Sequence, residues 1–250
     1  MEKSAKLVVN ADDFGFTESV SHGIIKAFKE GIVTSTTLMV NMPAAENAAM
    51  LALKNPQLAV GIHFVLTAGR PVSSGVSSLT NLDGSFPGYN AFFEKADKGD
   101  LAESEVEKEF RAQLDRFLSF GLTPSHFDSH HHVHLAETIR PVVSKLACEF
   151  NVPVRSFDRK SGDSKVWGES FTFLDGFYGG EATTDKLTEL LHEVADLKAA
   201  ELMCHPGFAD DELRAIDSYC DMREKELEIL TSPKTKRLVE SLNIELVNYR

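Results

Sequence analysis

The sequence is poor in cysteine. Cys148, Cys204 and Cys220 are three in 250 residues, an odd number without CxxC spacing. That excludes a disulfide framework and points to reduced thiols in the cytoplasm. Long hydrophobic runs are also missing. No stretch of about 18 apolar residues occurs, so no membrane span is expected. The opening MEKSAKLVVNADDF lacks an apolar segment of signal-peptide length. Positive charge is in deficit, with 26 Lys and Arg against 38 Asp and Glu and a net charge of −12. Nucleic acid and anionic membranes attract basic surfaces, so neither is an expected partner. A neutral or cationic ligand is easier to accommodate. No repeat, low-complexity tract or linker divides residues 1–250, which suggests a single domain. The 42% apolar and 26% charged fractions are ordinary for a globular chain.

Histidine is abundant and clustered. Five of the nine histidines lie in SHFDSHHHVH, residues 125–134. Thr123-Pro124 biases the segment toward extended backbone. As a strand it would place His126, Asp128, His130, His132 and His134 on one face, with Phe127, Ser129, His131 and Val133 on the other.

Around this stretch, strand-like and helix-like patterns alternate about seven times. KLVVN at 6–10 reads as a buried parallel strand ending in ADDFG. Thr17 or Ser19 can cap the helix that follows, with Ile24, Ile25, Ala27 and Phe28 as its apolar stripe. Residues 33–41 and 58–66 read as further strands, the latter carrying His63. Residues 67–100 are a turn-rich excursion without assignable structure. A helix spans 101–120, with Val106, Phe110, Leu114, Phe117 and Leu118 facing inward. After the histidine strand come a helix at 137–150, a strand at 152–157 carrying Arg155, and an irregular stretch at 158–182. A helix at 184–196 and a strand at 199–205 ending in His205-Pro206-Gly207 follow, then an ambiguous loop. Helices at about 222–231 and 233–242 and a strand NIELVN close the chain. The alternation predicts a parallel β/α barrel of the TIM type, distorted or with seven strands, with long insert loops over its C-terminal face. A doubly wound open sheet is the alternative.

In such folds the strand C-termini carry the chemistry. Asp12 and Asp13 lie at the first of them, His63 at the third, the histidine run at a later one. One carboxylate and two imidazoles with an open position compose a catalytic metal site. The adjacent aspartates suit a division of labour: one binds metal, the other acts as general base toward water. His205 would donate a proton to a leaving group. Phe64, Trp167 and Tyr178 are candidates to stack on a sugar ring.

The segments NADDFG, GIVTSTTLMVN, GIHFVLT, PSHFDSHHHVH and MCHPGF together resemble the YdjC-like carbohydrate deacetylases, in particular the chitooligosaccharide deacetylase branch. The resemblance runs from about residue 7 to the SYC and REKELEILTSP segments near 218–233. It implies a barrel-like fold, hydrolysis of N-acetyl groups from acetylated sugars such as diacetylchitobiose, a divalent metal (Mg²⁺), and a homodimer. It also implies that Asp13, His63 and His130 bind the metal, that Asp12 is the general base, and that His205 protonates the departing amine. Arg155 is expected to orient the base or to bind the sugar. His132, His134 and Asp128 could hold the ligating imidazoles in their tautomer. The donor set itself suits Zn²⁺ or another transition metal better than Mg²⁺. A metal-dependent phosphoester hydrolase, a sugar isomerase and a non-catalytic sugar sensor are the rival functions. A phosphate substrate would call for a Lys and Arg cluster, for which only Arg70 and Arg155 stand out.

Overall fold

The computed structural model describes residues 4–155 and 171–250 in full, and 165–166 and 169–170 by their backbone. Trp167 and the end of the expected strand at 156–157 lie outside the described residues. The elements in chain order are β1 (Ala5–Phe14), α1 (Glu18–Glu30), β2 (Ser35–Leu38), α2 (Ala45–Leu53), β3 (Ala59–Phe64), α3 (Tyr89–Lys98), α4 (Glu103–Ser119), β4 (Phe127–Ser129) and α5 (Arg140–Phe150). There follow β5 (Lys165–Val166), β6 (Glu169–Ser170), β7 (Thr172–Leu174), α6 (Thr184–Ala195), β8 (Ala199–Cys204), α7 (Asp211–Ile216), α8 (Asp221–Thr231), α9 (Pro233–Ser241) and β9 (Ile244–Val247).

A curled parallel sheet in the order β4-β3-β2-β1-β8-β7 forms the centre. β1 is long enough to serve two neighbours along one edge. Its first half, Ala5–Val8, pairs with β9, and β2 takes over from Asn10 onward. Val154 bridges Phe127 and extends the sheet past β4. Among the described residues no pairing joins that segment to β7, and the described sheet is a curled half-barrel. The expected strand at 152–157 is thus reduced to one bridge in its described part. Strands β3 and β8 are buried along their whole length, which accounts for their nearly unbroken apolar sequences.

The helices cover the outside. Thr17 Oγ1 accepts from the Val20 N–H at 3.2 Å and caps α1, which buries Val20, Ile24, Ile25 and Ala27. Helix α4 buries Val106, Phe110, Leu114 and Phe117. Leu118, expected inside, is exposed, because it falls one residue off the buried stripe. Phe64 is core, stacked on Phe110 with ring centroids 4.2 Å apart. Within the excursion at 67–100 lies α3, whose N-cap Gly88 makes no side-chain cap bond and so leaves no capping signature.

Candidate active site

The site begins with a kink. β1 and β2 lose register between Ala11 and Phe14, and Asp13 has φ +69°. A left-handed aspartate at a bulge turns two consecutive carboxylates in different directions. Asp12 meets Arg155, whereas Asp13 meets His63, His130 and Arg223.

The histidine run behaves differently from the expected strand. β4 ends at Ser129, and residues 130–135 are short helical turns broken by a kink at His131 and His132, both with φ +56°. The shared face therefore fails beyond Asp128. His126 is buried and stacks on Tyr249 at 3.8 Å. His130 Nδ1 lies 2.9 Å from Asp13 Oδ1, His131 Nδ1 lies 2.9 Å from Thr67 Oγ1, and His134 is tied to Ser129 and the Arg155 carbonyl. Two left-handed residues in succession let adjacent histidines reach separate targets.

Asp13, His63 and His130 each offer a ligand atom, and these atoms all lie within 4.8 Å of one another. His63 Nε2 is 3.3 Å from Asp13 Oδ1, and its Nδ1 is 2.7 Å from Asp128 Oδ1. Asp128 also accepts from Thr37 at 2.9 Å. Burial disfavours a charged His63, yet Asp128 and Asp13 push its pKa up to about 10. The carboxylates thus demand positive charge at His63. A divalent cation meets that demand, with Asp128 holding the Nδ1 proton and leaving Nε2 as donor. The residues present fit such an ion. Asp12, His63 and Asp128 form a second convergent group. There Arg155 already compensates the two carboxylates, donating to Asp12 and pairing with Asp128 at 3.0 Å.

Arg155 is wholly buried. Nη1 donates to Asp12 Oδ2 at 2.6 Å, Nη2 to Asp12 Oδ1 at 2.7 Å, and Nε to Glu201 Oε1 at 2.8 Å. The Tyr249 hydroxyl donates to the other oxygen of Glu201. Burial alone would raise the Asp12 pKa, but the Arg155 guanidinium holds it far below the usual carboxylate range. This geometry fixes the orientation of the Asp12 carboxylate. A side chain with no exposed surface cannot touch a sugar.

A cavity of about 1060 Å³ opens over these groups, lined among others by Asp12, Asp13, His63, His130, His205 and Arg223. His205 is buried, and chiefly for that reason its pKa is pushed down to about 4, against the pull of Asp12 and Asp13. Its backbone N–H donates to Glu226 Oε2 at 2.5 Å. Arg223 Nη2 donates to Asp13 Oδ2 at 2.7 Å and to Asp217 at 2.9 Å. The oxygen of Asp13 turned away from the histidines is therefore occupied by a protein cation.

The family profile described as YdjC-like protein matches residues 6–241. The chain belongs to the YdjC-like family. This YdjC-like chain is 45% identical to a carbohydrate deacetylase of Geobacillus stearothermophilus, over 97% of its own length and 96% of the relative's. It is 42% identical to a carbohydrate deacetylase of Clostridium beijerinckii, over 98% and 99%. Among solved structures, a protein of Enterococcus faecalis V583, named provisionally for cellobiose-phosphate cleavage, matches with TM-score 0.89 and 34% identity, covering 99% of this chain and 98% of that one. A family 4 carbohydrate esterase of Streptomyces lividans shares the fold at TM-score 0.52 and 13% identity, covering 96% and 90%.

All six residues singled out from the YdjC-like sequence pattern fall in or directly beneath the cavity. Sequence reasoning missed Arg223, Glu201, Glu226 and Tyr219. Arg223 and Glu226 sit on α8 in a charged stretch, DMREKELE, that reads as a solvated helix face. Their one local signal is spacing, since residues three apart share a face. Glu201 is a lone carboxylate in the apolar run AAELMC, a buried charge that calls for a partner.

Proposed function

We propose that this YdjC-like protein is a metal-dependent hydrolase that removes N-acetyl groups, as acetate, from amino sugars such as diacetylchitobiose or a chitooligosaccharide. The observation that carries the reading is the convergence of Asp13, His63 and His130 within 4.8 Å beside an aspartate held ionised by a buried arginine. The names of its relatives supply the substrate class.

Asp13, His63 and His130 would hold a divalent cation, which when bound would supply Lewis acidity to the amide carbonyl and the attacking water. Asp12 is ionised at neutral pH and accepts the proton of that water as its oxygen bonds to the carbonyl carbon. Arg155 keeps both oxygens of Asp12 oriented and its proton affinity low, so the proton is readily passed on. His205 is neutral at rest, because burial disfavours its charge. Negative charge growing on the carbonyl oxygen favours the imidazolium, so His205 takes up the proton that Asp12 removed from the water and delivers it to the nitrogen as the C–N bond breaks. Acetate and the free amine leave. Two imidazoles and one carboxylate favour Zn²⁺, Fe²⁺ or Co²⁺ over Mg²⁺, although Mg²⁺ is the ion the family resemblance implied.

Among the described residues, the basic side chains lend the phosphoester alternative no support. Lys98 lines the cavity but pairs with Glu94 at 2.6 Å, and Arg223 serves two aspartates. Arg70 donates to the Asp83 carbonyl at 2.8 Å and does not line the cavity.

The test is acetate release from N-acetylglucosamine, diacetylchitobiose and longer chitooligosaccharides across a panel of divalent metals, with elemental analysis of the protein. Asp12→Asn should retain metal and lose turnover by about 10²-fold or more. His130→Ala should lose metal. A fully active Asp12→Asn protein contradicts the assignment.

A further inference from the structure

Next to His205 stands a rigid aromatic pair that the reaction scheme above does not use. The rings of Tyr178 and Tyr219 stack with centroids 4.6 Å apart and planes 9° from parallel. His205 meets both edge-on, at 5.2 Å from Tyr178 and 5.8 Å from Tyr219. Tyr219 is locked at its hydroxyl, which donates to Glu226 Oε1 at 2.5 Å and accepts from the Gly179 N–H at 2.9 Å. Gly179 has φ +62°, a conformation open to glycine at little cost, and it follows Tyr178 directly. Phe177, on the other side, is fully buried and anchors the segment in the core. Tyr178 itself is 48% exposed. Tyr219 covers one of its faces, so the exposed surface is the other face and the rim. Ile216, 54% exposed, lines the same cavity, as does Asp217.

We propose that the Tyr178–Tyr219 stack is a subsite for one pyranose ring, whose C–H face lies on Tyr178 and presents its nitrogen to His205. The inference rests on the deacetylase reading and deepens it. A pyranose with equatorial substituents has apolar faces and a polar rim, and this surface offers an apolar plane bordered by a carboxylate and an imidazole. Two stacked, anchored rings also lose little freedom when a ligand settles on them, which favours binding. The platform would select sugars over linear N-acetylated amines that present no such face.

Tyr178→Ala, Tyr178→Phe and Tyr178→Leu proteins are compared with the natural chain. Each is assayed for KM and kcat on an N-acetylated glucosamine disaccharide. Each is also assayed for binding of the unacetylated disaccharide by saturation-transfer NMR, which needs no turnover. Tyr178→Ala should raise KM about tenfold, with a smaller change in kcat. Tyr178→Phe should restore affinity because it keeps the ring. Tyr178→Leu keeps bulk without a π face and should not, which separates stacking from mere support of His205. Unchanged KM in Tyr178→Ala overturns the proposal, as does rescue by Leu equal to that by Phe. If no N-acetylated sugar yields acetate with any metal, the deacetylase reading fails, and NMR alone decides the subsite. Sugar C–H saturation on the natural chain and its loss in Tyr178→Ala would sustain it. Equal saturation on both would end it.

Discussion

Replacing Arg155 by methionine separates burial from the mere number of ion pairs. Arg155 is 0% exposed at its side chain and contacts Asp12, Asp128 and Glu201, whose side chains are at most 3% exposed. Removing it strands three carboxylates in the interior. Breaking a buried charge network in this way costs about 3–5 kcal/mol. For a chain of this length each kcal/mol moves Tm by about 2–4 °C, so Tm should fall by about 6–20 °C. Arg111 is the control. It binds Glu107 and Glu149 at 2.8 Å each, but its side chain is 40% exposed. Solvent screens that pair, and Arg111→Met should stay within about 3 °C of the natural protein. The pH dependence adds a second check. The Asp12 pKa is depressed below the ordinary 3.8 in the folded protein, so its contribution is complete above that value and is lost as pH falls. Without Arg155, burial raises the pKa values of Asp12 and Glu201 against the lesser pulls of His63 and His205 on the one and Tyr249 on the other. The variant then takes up protons on folding, and its deficit should be widest near pH 8 and narrow toward pH 5. Calorimetry of both variants across this range supplies the answer. An Arg155→Met protein that melts with Arg111→Met, or a deficit independent of pH, would refute the reasoning.

Glu226 provides a stability prediction of opposite sign. Burial pushes its pKa up to about 7 from the ordinary 4.5, so the fold favours its protonated form. Its contribution is full below about 4.5 and is lost as pH rises through about 7, an interval equivalent to about 3 kcal/mol. Glu226→Gln should therefore gain stability over the natural chain between pH 5 and 8, measured by urea denaturation; parallel curves would count against it. Gly23→Ala probes the support of His205. A Cβ there would lie 2.5 Å from Gly207 Cα and 2.8 Å from Phe208 N, both backbone atoms. A cost of about 1–3 kcal/mol is expected, with a fall in kcat as the His205 segment shifts. Gly180→Ala, where a Cβ meets nothing within 4 Å, should do neither.

The alternation of strands and helices was legible because buried parallel strands leave apolar runs and amphipathic helices leave stripes. β1, β3, β8, α1, α4 and the two closing helices fall close to where the pattern puts them. Short elements escaped. β7 is three residues long, and α3 and α7 lie inside turn-rich or polar stretches. The histidine run was misread beyond Ser129, because a period-two pattern cannot signal two consecutive left-handed residues. Asp12, Asp13, His63 and His205 could be singled out because polar groups at strand ends in apolar surroundings are conspicuous. Arg223 and Glu226 could not, since a charged helix looks solvated until its packing is known.

The amino-acid order by itself determined the fold class, the absence of a disulfide framework and the residue types at the strand ends, because all of these follow from local periodicity and composition. Only the tertiary structure shows which partners each of the paired carboxylates meets. Asp12 and Asp13 are chemically identical neighbours. Their surroundings diverge because a kink at Asp13 sends one toward a buried arginine from residue 155 and the other toward two imidazoles and an arginine from residue 223. Charge placed by distant segments sets proton affinity, and no local pattern in the chain encodes that distance.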